Sequence, residues 1–374
     1  MKAVVFGCGL VGGAMVRDLA KDREFEITAI DANEAALQTL ADVPGVTTQA
    51  ANLHHAPTVG RLAREHDIAV LALPGHMGFQ SLAAIIEAGR NVVDISFMPE
   101  DPTALHDAAK LLGVTAITDC GVAPGLSHAL AAHATTLLDE VKSIAIYVGG
   151  LPRTPEPPWN YRVVFSAVDV LEEYTRPARI MREGKVVLKD ALTEVEQLDF
   201  AGVGKLEAFI SDGLRSLVNV LKADEMVEKT LRYPGHADKM RALREAGLFS
   251  KGELEVRGGK VRPLDVAAAL LFPQWKMREG EEDVTVMRVA VGGVKDGAEL
   301  EFTYDMLDAF DREGDVSSMA RTTGYTGTAA VRLIRDGVFT RKGVSTPEYL
   351  GLDAACFAAL MGHLAKRGVV VSGV

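Results

Sequence analysis

Three glycines and one acid near the N-terminus have residue types and spacing that could do chemistry. Gly7, Gly9 and Gly12 follow a short hydrophobic run, and Asp31 closes the next run, roughly 20 residues after the last glycine. Gly7 permits a tight turn after a strand, and Gly9 lets the backbone approach a pyrophosphate. Gly12 lets the following helix lie close to the sheet. The pattern predicts a strand, a glycine turn, a helix and a second strand that ends in an acid.

This arrangement predicts a dinucleotide-binding site. The free amide groups at the helix N-terminus, among them those of Leu10 and Val11, would face the phosphates. The Asp31 carboxylate would accept hydrogen bonds from the adenosine ribose and would repel a 2′-phosphate. The sequence therefore favours NAD over NADP. The alternative is an ordinary glycine-rich turn, which the surrounding strands and helix disfavour.

The first 120 residues alternate short β-rich runs with amphipathic stretches of helical length. Strands are predicted at 3–6, 27–31, 46–50, 69–73, 92–96 and 115–119, with helices at 10–21, 56–65, 78–88 and 102–112. This alternation predicts an α/β fold, with a Rossmann-type doubly wound parallel sheet. Such sheets bind ligands at the carboxyl ends of their strands. The loops expected to converge on the nicotinamide hold Leu73, Pro74, His76, Ser96, Asp119 and Gly121.

After residue 121 the pattern changes. The β-rich runs become longer, often alternate, and are joined by short glycine-containing turns, which favours antiparallel pairing in a second α+β domain. We therefore predict a dinucleotide-binding domain at 1–121 and an α+β domain at 122–344. The segment 345–374 holds a last apolar helix, which we expect to pack back on the first domain.

Composition limits the class of protein. A chain of 374 residues suggests about two domains, and the contents of 48% hydrophobic and 24% charged residues are ordinary for globular proteins. No stretch approaches the ~20 apolar residues of a membrane span, and the chain starts directly in a strand without a leader, so we expect a cytoplasmic protein. The net charge of −11 argues against nucleic acid as a partner. The three cysteines, Cys8, Cys120 and Cys356, are too far apart to predict disulfides or a metal site.

Several longer runs resemble one known family. They lie at 119–127, 149–152, 158–161, 165–169, 172–174, 232–236 and 320–325. Over nearly its whole length the chain resembles the saccharopine dehydrogenase family, and within it most closely the NAD-dependent L-lysine 6-dehydrogenases. The resemblance implies a dinucleotide domain interrupted by a catalytic and oligomerisation domain. It also implies oxidation of a carbon that bears nitrogen, and assembly into homodimers or homotetramers.

Amine oxidation requires a proton acceptor, because hydride cannot leave a carbon whose nitrogen is still an ammonium. A general base works best with a pKa near the operating pH. The candidates are His76, Asp101 and Asp119, and Asp94 also lies near a strand end. The alternatives are an exposed loop histidine for His76, an acid at a helix N-terminus for Asp101, and carboxylates that accept loop amides for the other two. Cys120 is expected to be a small packed residue.

An amino-acid substrate brings a carboxylate, which an arginine fork suits. The candidates are Arg162, beside Asn160 and Tyr161, and Arg321 in the run 320–325. Surface salt bridges for the arginines and a core position for Tyr161 are the alternatives. The leading hypothesis is NAD-dependent oxidation of the ε-amine of L-lysine to an aldehyde, which cyclises, with release of ammonia and NADH. The alternatives are a saccharopine-type enzyme acting on a secondary amine, and a catalytically silent NAD(H)-binding regulatory module.

Overall fold

The computed structural model describes residues 1–165 and 167–373. Ser166, which belongs to the family-like run 165–169, lies outside the described residues. The chain divides into two compact units. Unit 1 comprises Met1–Thr136 and Met319–Val370, and unit 2 comprises Leu137–Ser318 and Val371–Val374. Strands and helices are numbered below in chain order.

Unit 1 holds a parallel sheet and the helices that connect its strands. Its strands are Lys2–Phe6 (β1), Glu26–Asp31 (β2), Val46–Ala50 (β3), Ile68–Leu71 (β4), Asn91–Asp94 (β5), Thr115–Ile117 (β6) and Gly343–Ser345 (β17). Its helices are Leu10–Leu19 (α1), Glu34–Gln38 (α2), Ala56–Ala63 (α3), Gly75–Glu87 (α4), His106–Leu111 (α5), Leu126–Thr135 (α6), Ser318–Arg335 (α11), Glu348–Gly351 (α12) and Ala354–Ala365 (α13), with a 3₁₀ turn at Pro102–Leu105.

The seven strands of this sheet pair in the order β17-β6-β5-β4-β1-β2-β3, and every pair is parallel. The order reverses at β1, which is the switch point of a doubly wound fold. The central strands β1 and β4 are formed by continuous hydrophobic runs because helices cover both faces of a parallel sheet, and every residue of β4 is buried. The predicted Rossmann-type fold of the first domain is confirmed.

Unit 2 is an α+β unit. Its strands are Glu140–Pro152 (β7), Ala178–Arg182 (β8), Lys185–Lys189 (β9), Glu196–Phe200 (β10), Gly204–Ile210 (β11), Glu225–Arg232 (β12), Leu254–Val256 (β13), Gly259–Val261 (β14), Asp283–Lys295 (β15) and Ala298–Ala309 (β16). Its helices are Ala167–Thr175 (α7), Leu217–Val220 (α8), His236–Glu245 (α9) and Pro263–Trp275 (α10).

Eight of these strands form one sheet, in the order β10-β11-β12-β7-β15-β16 with β8 and β9 attached through β12. The pair β12 and β7 is parallel, and the other pairs are antiparallel. A separate hairpin joins β13 and β14. The prediction of a second domain with a mainly antiparallel sheet is confirmed.

The observed division differs from the predicted boundaries at 121 and 344. Helix α6 stays with unit 1, and so do α11 from Met319 onward and β17, whereas the prediction assigned 122–344 to the second domain. The reason is strand pairing, because Gly343–Ser345 adds to the parallel sheet beside β6 and so draws the chain before it into unit 1. The last helix, α13, also belongs to unit 1.

Two predicted elements near the expected site end or begin elsewhere. The fourth strand stops at Leu71 rather than at residue 73, and α4 begins at Gly75 rather than at 78. Pro74 fits this start because its fixed φ and missing N–H suit a helix beginning. His76 therefore lies in the first turn of α4, not in a loop. Among the described helices none has the length and apolar character needed to cross a membrane.

Candidate dinucleotide-binding site

The glycine turn between β1 and α1 leaves no room for side chains at two of its positions. Gly7 has φ +91°, and a Cβ there would lie 2.3 Å from the carbonyl oxygen of Ala72. A Cβ on Gly12 would lie 1.8 Å from the carbonyl oxygen of Gly7. At Gly9 a Cβ would meet nothing within 4 Å. The turn is therefore closed on its inner side by packing and open at Gly9, where a ligand could approach the backbone.

The start of α1 lies beside this opening. Gly9 caps the helix with extended backbone, and the next residue, Leu10, is 66% exposed. The first amides of the helix have no intrahelical partner, so they are available to a ligand that approaches this exposed surface. Val11 follows in the same turn and is half-buried. These residues therefore fit the phosphate-binding end of a dinucleotide site.

Asp31, the last residue of β2, is fixed against the same turn. One carboxylate oxygen, Oδ2, accepts a hydrogen bond from the Cys8 N–H at 2.6 Å, and Oδ1 accepts one from the Asn33 N–H at 2.7 Å. These two bonds orient the carboxylate, and each oxygen keeps acceptor capacity for further donors. The arrangement places a preoriented acceptor pair where the sequence predicts the adenosine ribose.

The carboxyl ends of β5 and β6 bring two acids into one network. Asp94 is fully buried, and its Oδ1 accepts a hydrogen bond from the Ser96 N–H at 3.0 Å. Its backbone carbonyl accepts one from the Cys120 N–H at 2.9 Å, which joins the two strand-end loops. Asp119 is buried as well, and its φ of +54° is unusual for a residue other than glycine. Asp94 thus accepts a loop amide, as one sequence hypothesis held.

Burial raises the pKa of Asp94 from 3.8 to about 8; hydrogen bonds from Ser96 oppose the change, and the nearby charge of Asp119 adds to it. Burial also raises the pKa of the Cys120 thiol well above its ordinary value. Cys120 therefore stays a neutral thiol at physiological pH and packs at 0% exposure. The raised pKa favours the protonated form of Asp94 at this edge of the sheet.

Asp94→Asn is expected to reduce the loss of stability at alkaline pH. The folded state binds the carboxyl proton more tightly than the unfolded chain, so the wild type loses stability as the pH rises from about 4 to about 8. Asparagine does not ionise, and this contribution disappears. The measurement is the fall in melting temperature between pH 5.5 and pH 8.5, with the exposed Asp101→Asn as control. Parallel curves for the wild type and Asp94→Asn would contradict the shift.

The structure places the two other acid–base candidates on the surface of unit 1. Asp101 caps the 3₁₀ turn, and its Oδ1 accepts hydrogen bonds from the Thr103 N–H at 2.9 Å and the Thr103 hydroxyl at 2.6 Å. His76 is exposed, and its ring centroid lies 6.3 Å from that of His54. Asp101 therefore has the geometry of a capping acid. His76 follows Leu73 and Pro74, which are predicted to lie near the nicotinamide, and its ring is accessible.

Three predicted substrate residues lie together in unit 2. Arg162 is buried, and its Nε and Nη2 donate to Glu281 at 2.9 and 3.0 Å while Nη2 also donates to Glu156 at 2.8 Å. Tyr161 is fully buried, with its ring centroid 5.5 Å from that of Trp275. Asn160 adopts φ +50° and is half-buried. Arg162 has the geometry of an internal ion pair, and Tyr161 that of a core residue.

Arg321, the fourth predicted substrate residue, lies in unit 1. It sits on α11 at 8% exposure, and its Nη2 donates to the carbonyl oxygen of Arg367 at 3.1 Å. Sequence analysis assigned both Arg321 and Arg162 to the second domain at 122–344. The structure places them in different units.

The sheet, the glycine turn and the fixed Asp31 define a protein with a Rossmann-type nucleotide-binding fold. Residues 3–117 match the model of the saccharopine dehydrogenase NADP binding domain, and residues 121–369 match the saccharopine dehydrogenase C-terminal domain. The chain belongs to the saccharopine dehydrogenase family. The resemblance seen in the sequence is confirmed at the level of the family.

Individual relatives are distant. Mouse mitochondrial alpha-aminoadipic semialdehyde synthase is 26% identical over 99% of this chain and 47% of its own length, so the chain spans about half of that relative. Carboxyaminopropylagmatine dehydrogenase from Synechocystis is 22% identical, over 97% of this chain and 96% of its own. Apo saccharopine dehydrogenase (L-Glu forming) from Saccharomyces cerevisiae superposes with a TM-score of 0.81 at 18% identity, covering 100% of this chain and 99% of that one. The last likeness shows that the fold is shared.

Proposed function

We propose that this protein is an NAD-dependent oxidoreductase that oxidises a carbon bearing an amine. The observation that carries the proposal is the acceptor pair of Asp31, held by the Cys8 and Asn33 amides beside a glycine turn that is open at Gly9. NAD fits these residues, because a carboxylate there suits two ribose hydroxyls and disfavours a 2′-phosphate. The family model that matches this region is described as NADP binding. The proposed preference for NAD rests on Asp31.

The leading substrate is L-lysine, oxidised at the carbon that carries its ε-amine. When bound, NAD accepts a hydride from that carbon. The chain must take a proton from the ammonium beforehand, and His76, accessible in the first turn of α4, is the candidate for this step. Water then adds to the resulting iminium and releases ammonia, and the aldehyde closes on the α-amine. Arg321 remains the candidate for the substrate carboxylate.

A second candidate function rests on the names of the relatives. Saccharopine and carboxyaminopropylagmatine, the substrates in those names, both carry a secondary amine. If this chain acts in the same way, hydride leaves a carbon attached to a nitrogen that bridges two carbon chains. The released product is then an amine with a carbon chain of its own, and no ammonia forms. The nitrogen-containing product therefore separates the two functions.

The purified protein is expected to form NADH and ammonia in equal amounts from L-lysine and NAD. The rate should rise with pH, because both the substrate amine and the enzyme base must lose a proton. The measurement follows NADH by absorbance and ammonia by a coupled assay, with L-ornithine and saccharopine as parallel substrates. Rapid NADH formation from saccharopine without ammonia would replace the first function by the second. Tight NADH binding with no turnover of any amine would favour a regulatory nucleotide-binding module.

A further inference from the structure

Helix α11 packs unusually close to the nucleotide-binding half of unit 1. A Cβ on Gly324 would lie 3.0 Å from Met15 Cγ and 3.5 Å from the carbonyl oxygen of Val11. A Cβ on Gly327, one turn later, would lie 2.7 Å from Met15 Cε. The two glycines therefore let the backbone of α11 pack against the first two turns of α1. The pyrophosphate is expected at the N-terminus of α1.

The same helix reaches the loop after β6. The Cβ position of Gly327 lies 3.4 Å from the carbonyl oxygen of Cys120, and the Cβ position of Gly121 lies 3.2 Å from Thr323 Cγ2. Thr323 directly precedes Gly324. Its side chain therefore stands at the Gly121 loop while the next residue touches α1, so it lies between two parts of the predicted cofactor site.

The hydroxyl of Thr323 is weakly bonded for a threonine in a helix. Such hydroxyls commonly donate to a carbonyl oxygen one turn earlier, as that of Thr326 does to the Thr322 oxygen at 2.7 Å. Thr323 Oγ1 instead donates to Met319 Sδ at 3.3 Å, and a thioether is a weak acceptor. The residue is partly exposed. A hydrogen bond from Thr323 to a ligand oxygen would therefore be stronger than its present bond to the Met319 sulfur.

We propose that Thr323 is a cofactor-binding residue whose hydroxyl donates to an oxygen of the nicotinamide mononucleotide half of the bound dinucleotide. The proposal rests on the proposed function, in that unit 1 must bind NAD. Thr323 is assigned to the nicotinamide half because it contacts the loop at the carboxyl end of β6. Asp31, the predicted ribose ligand of the adenosine half, lies instead at the end of β2. In the sheet order β6 and β2 lie on opposite sides of β1.

The test compares Thr323→Val, which keeps the shape and removes the hydroxyl, with Thr323→Ser, which keeps the hydroxyl. The dissociation constants of NADH and of ADP are measured by fluorescence and calorimetry on the full chain. Loss of one neutral hydrogen bond should weaken NADH binding by Thr323→Val about three- to tenfold. Thr323→Ser should remain near the wild type, and ADP, which lacks the nicotinamide half, should bind all three proteins equally.

Thr326→Val serves as the matched control, since it removes a hydroxyl from the same helix. This hydroxyl is buried and donates to the carbonyl oxygen of Thr322 within the helix. Its NADH affinity should match that of the wild type even if its melting temperature falls. Unchanged NADH affinity in Thr323→Val overturns the proposal, and so does an equal loss for ADP. If the wild type binds neither NADH nor ADP, the proposed function fails instead.

Discussion

Asp31→Asn is expected to weaken NADH binding about 10- to 100-fold and to improve NADPH binding relative to it. A hydrogen bond to a charged acceptor contributes about 1.5–3 kcal/mol, and the carboxylate is placed to accept from the ribose. The amide keeps one acceptor oxygen for the Cys8 N–H, so the glycine turn should hold its shape. Loss of the negative charge also removes the repulsion of a 2′-phosphate. The measurement is the ratio of dissociation constants for the two reduced cofactors.

Asp31→Ala provides the comparison, because it also removes the acceptor for the Cys8 amide. If Asp31 acts only by holding that amide, alanine should weaken NADH and NADPH equally, and asparagine should weaken neither. A wild-type protein that already binds NADPH more tightly than NADH would show that the assignment of NAD is wrong. Glu34, the exposed acid in the first turn of α2, serves as a control for general charge effects through Glu34→Gln.

Local patterns explain why the fold class could be predicted. The run before Gly7 is apolar at consecutive positions because β1 is buried on both faces of a parallel sheet, and this signal is contained in the four residues after Lys2. The glycine turn and Asp31 are likewise read within one βαβ unit. The hairpin of β8 and β9 turns at Glu183 and Gly184, where Gly184 has φ +71°, and it is one of the short glycine-containing turns that the sequence predicts after residue 121.

Long-range pairing explains what the sequence did not reveal. Three residues, Gly343–Ser345, join the sheet beside β6, and so short a strand carries no periodicity that predicts its partner. For the same reason sequence analysis assigned α11 to the second domain, whereas the structure has it in unit 1 from Met319 onward. Arg162 looked like a carboxylate fork because residue type alone does not tell an external carboxylate from that of Glu281, 119 positions later. Thr323 was not singled out, since its neighbours are distant in sequence.

The assignment of α11 and the C-terminal segment to unit 1 leads to the second large effect. Asp18 on α1 is fully buried, and it accepts hydrogen bonds from Arg332 Nη1 at 2.7 Å and Arg367 Nε at 2.5 Å. The hydroxyl of Thr328 donates to the same carboxylate at 2.5 Å. Asp22 completes the network, accepting from Arg332 Nε at 2.7 Å. This single buried carboxylate therefore ties α1 to two later segments of the chain, each more than 300 residues away from it in sequence.

Asp18→Asn is expected to destabilise unit 1 by about 3–5 kcal/mol. The substitution keeps the side-chain volume but removes the charge of the fully buried one of the two carboxylates that pair with the Arg332 guanidinium, which is 1% exposed. Removal of one partner of a buried ion pair typically costs this much. Urea unfolding measures the loss, and hydrogen exchange locates it, since amides in α1 and α11 should exchange faster while those of β15 do not. Asp265→Asn, in an exposed pair with Arg262, is the control and should cost less than about 1 kcal/mol. Equal losses for the two variants, or faster exchange confined to unit 2, would show that this network does not hold the C-terminal segment on the sheet.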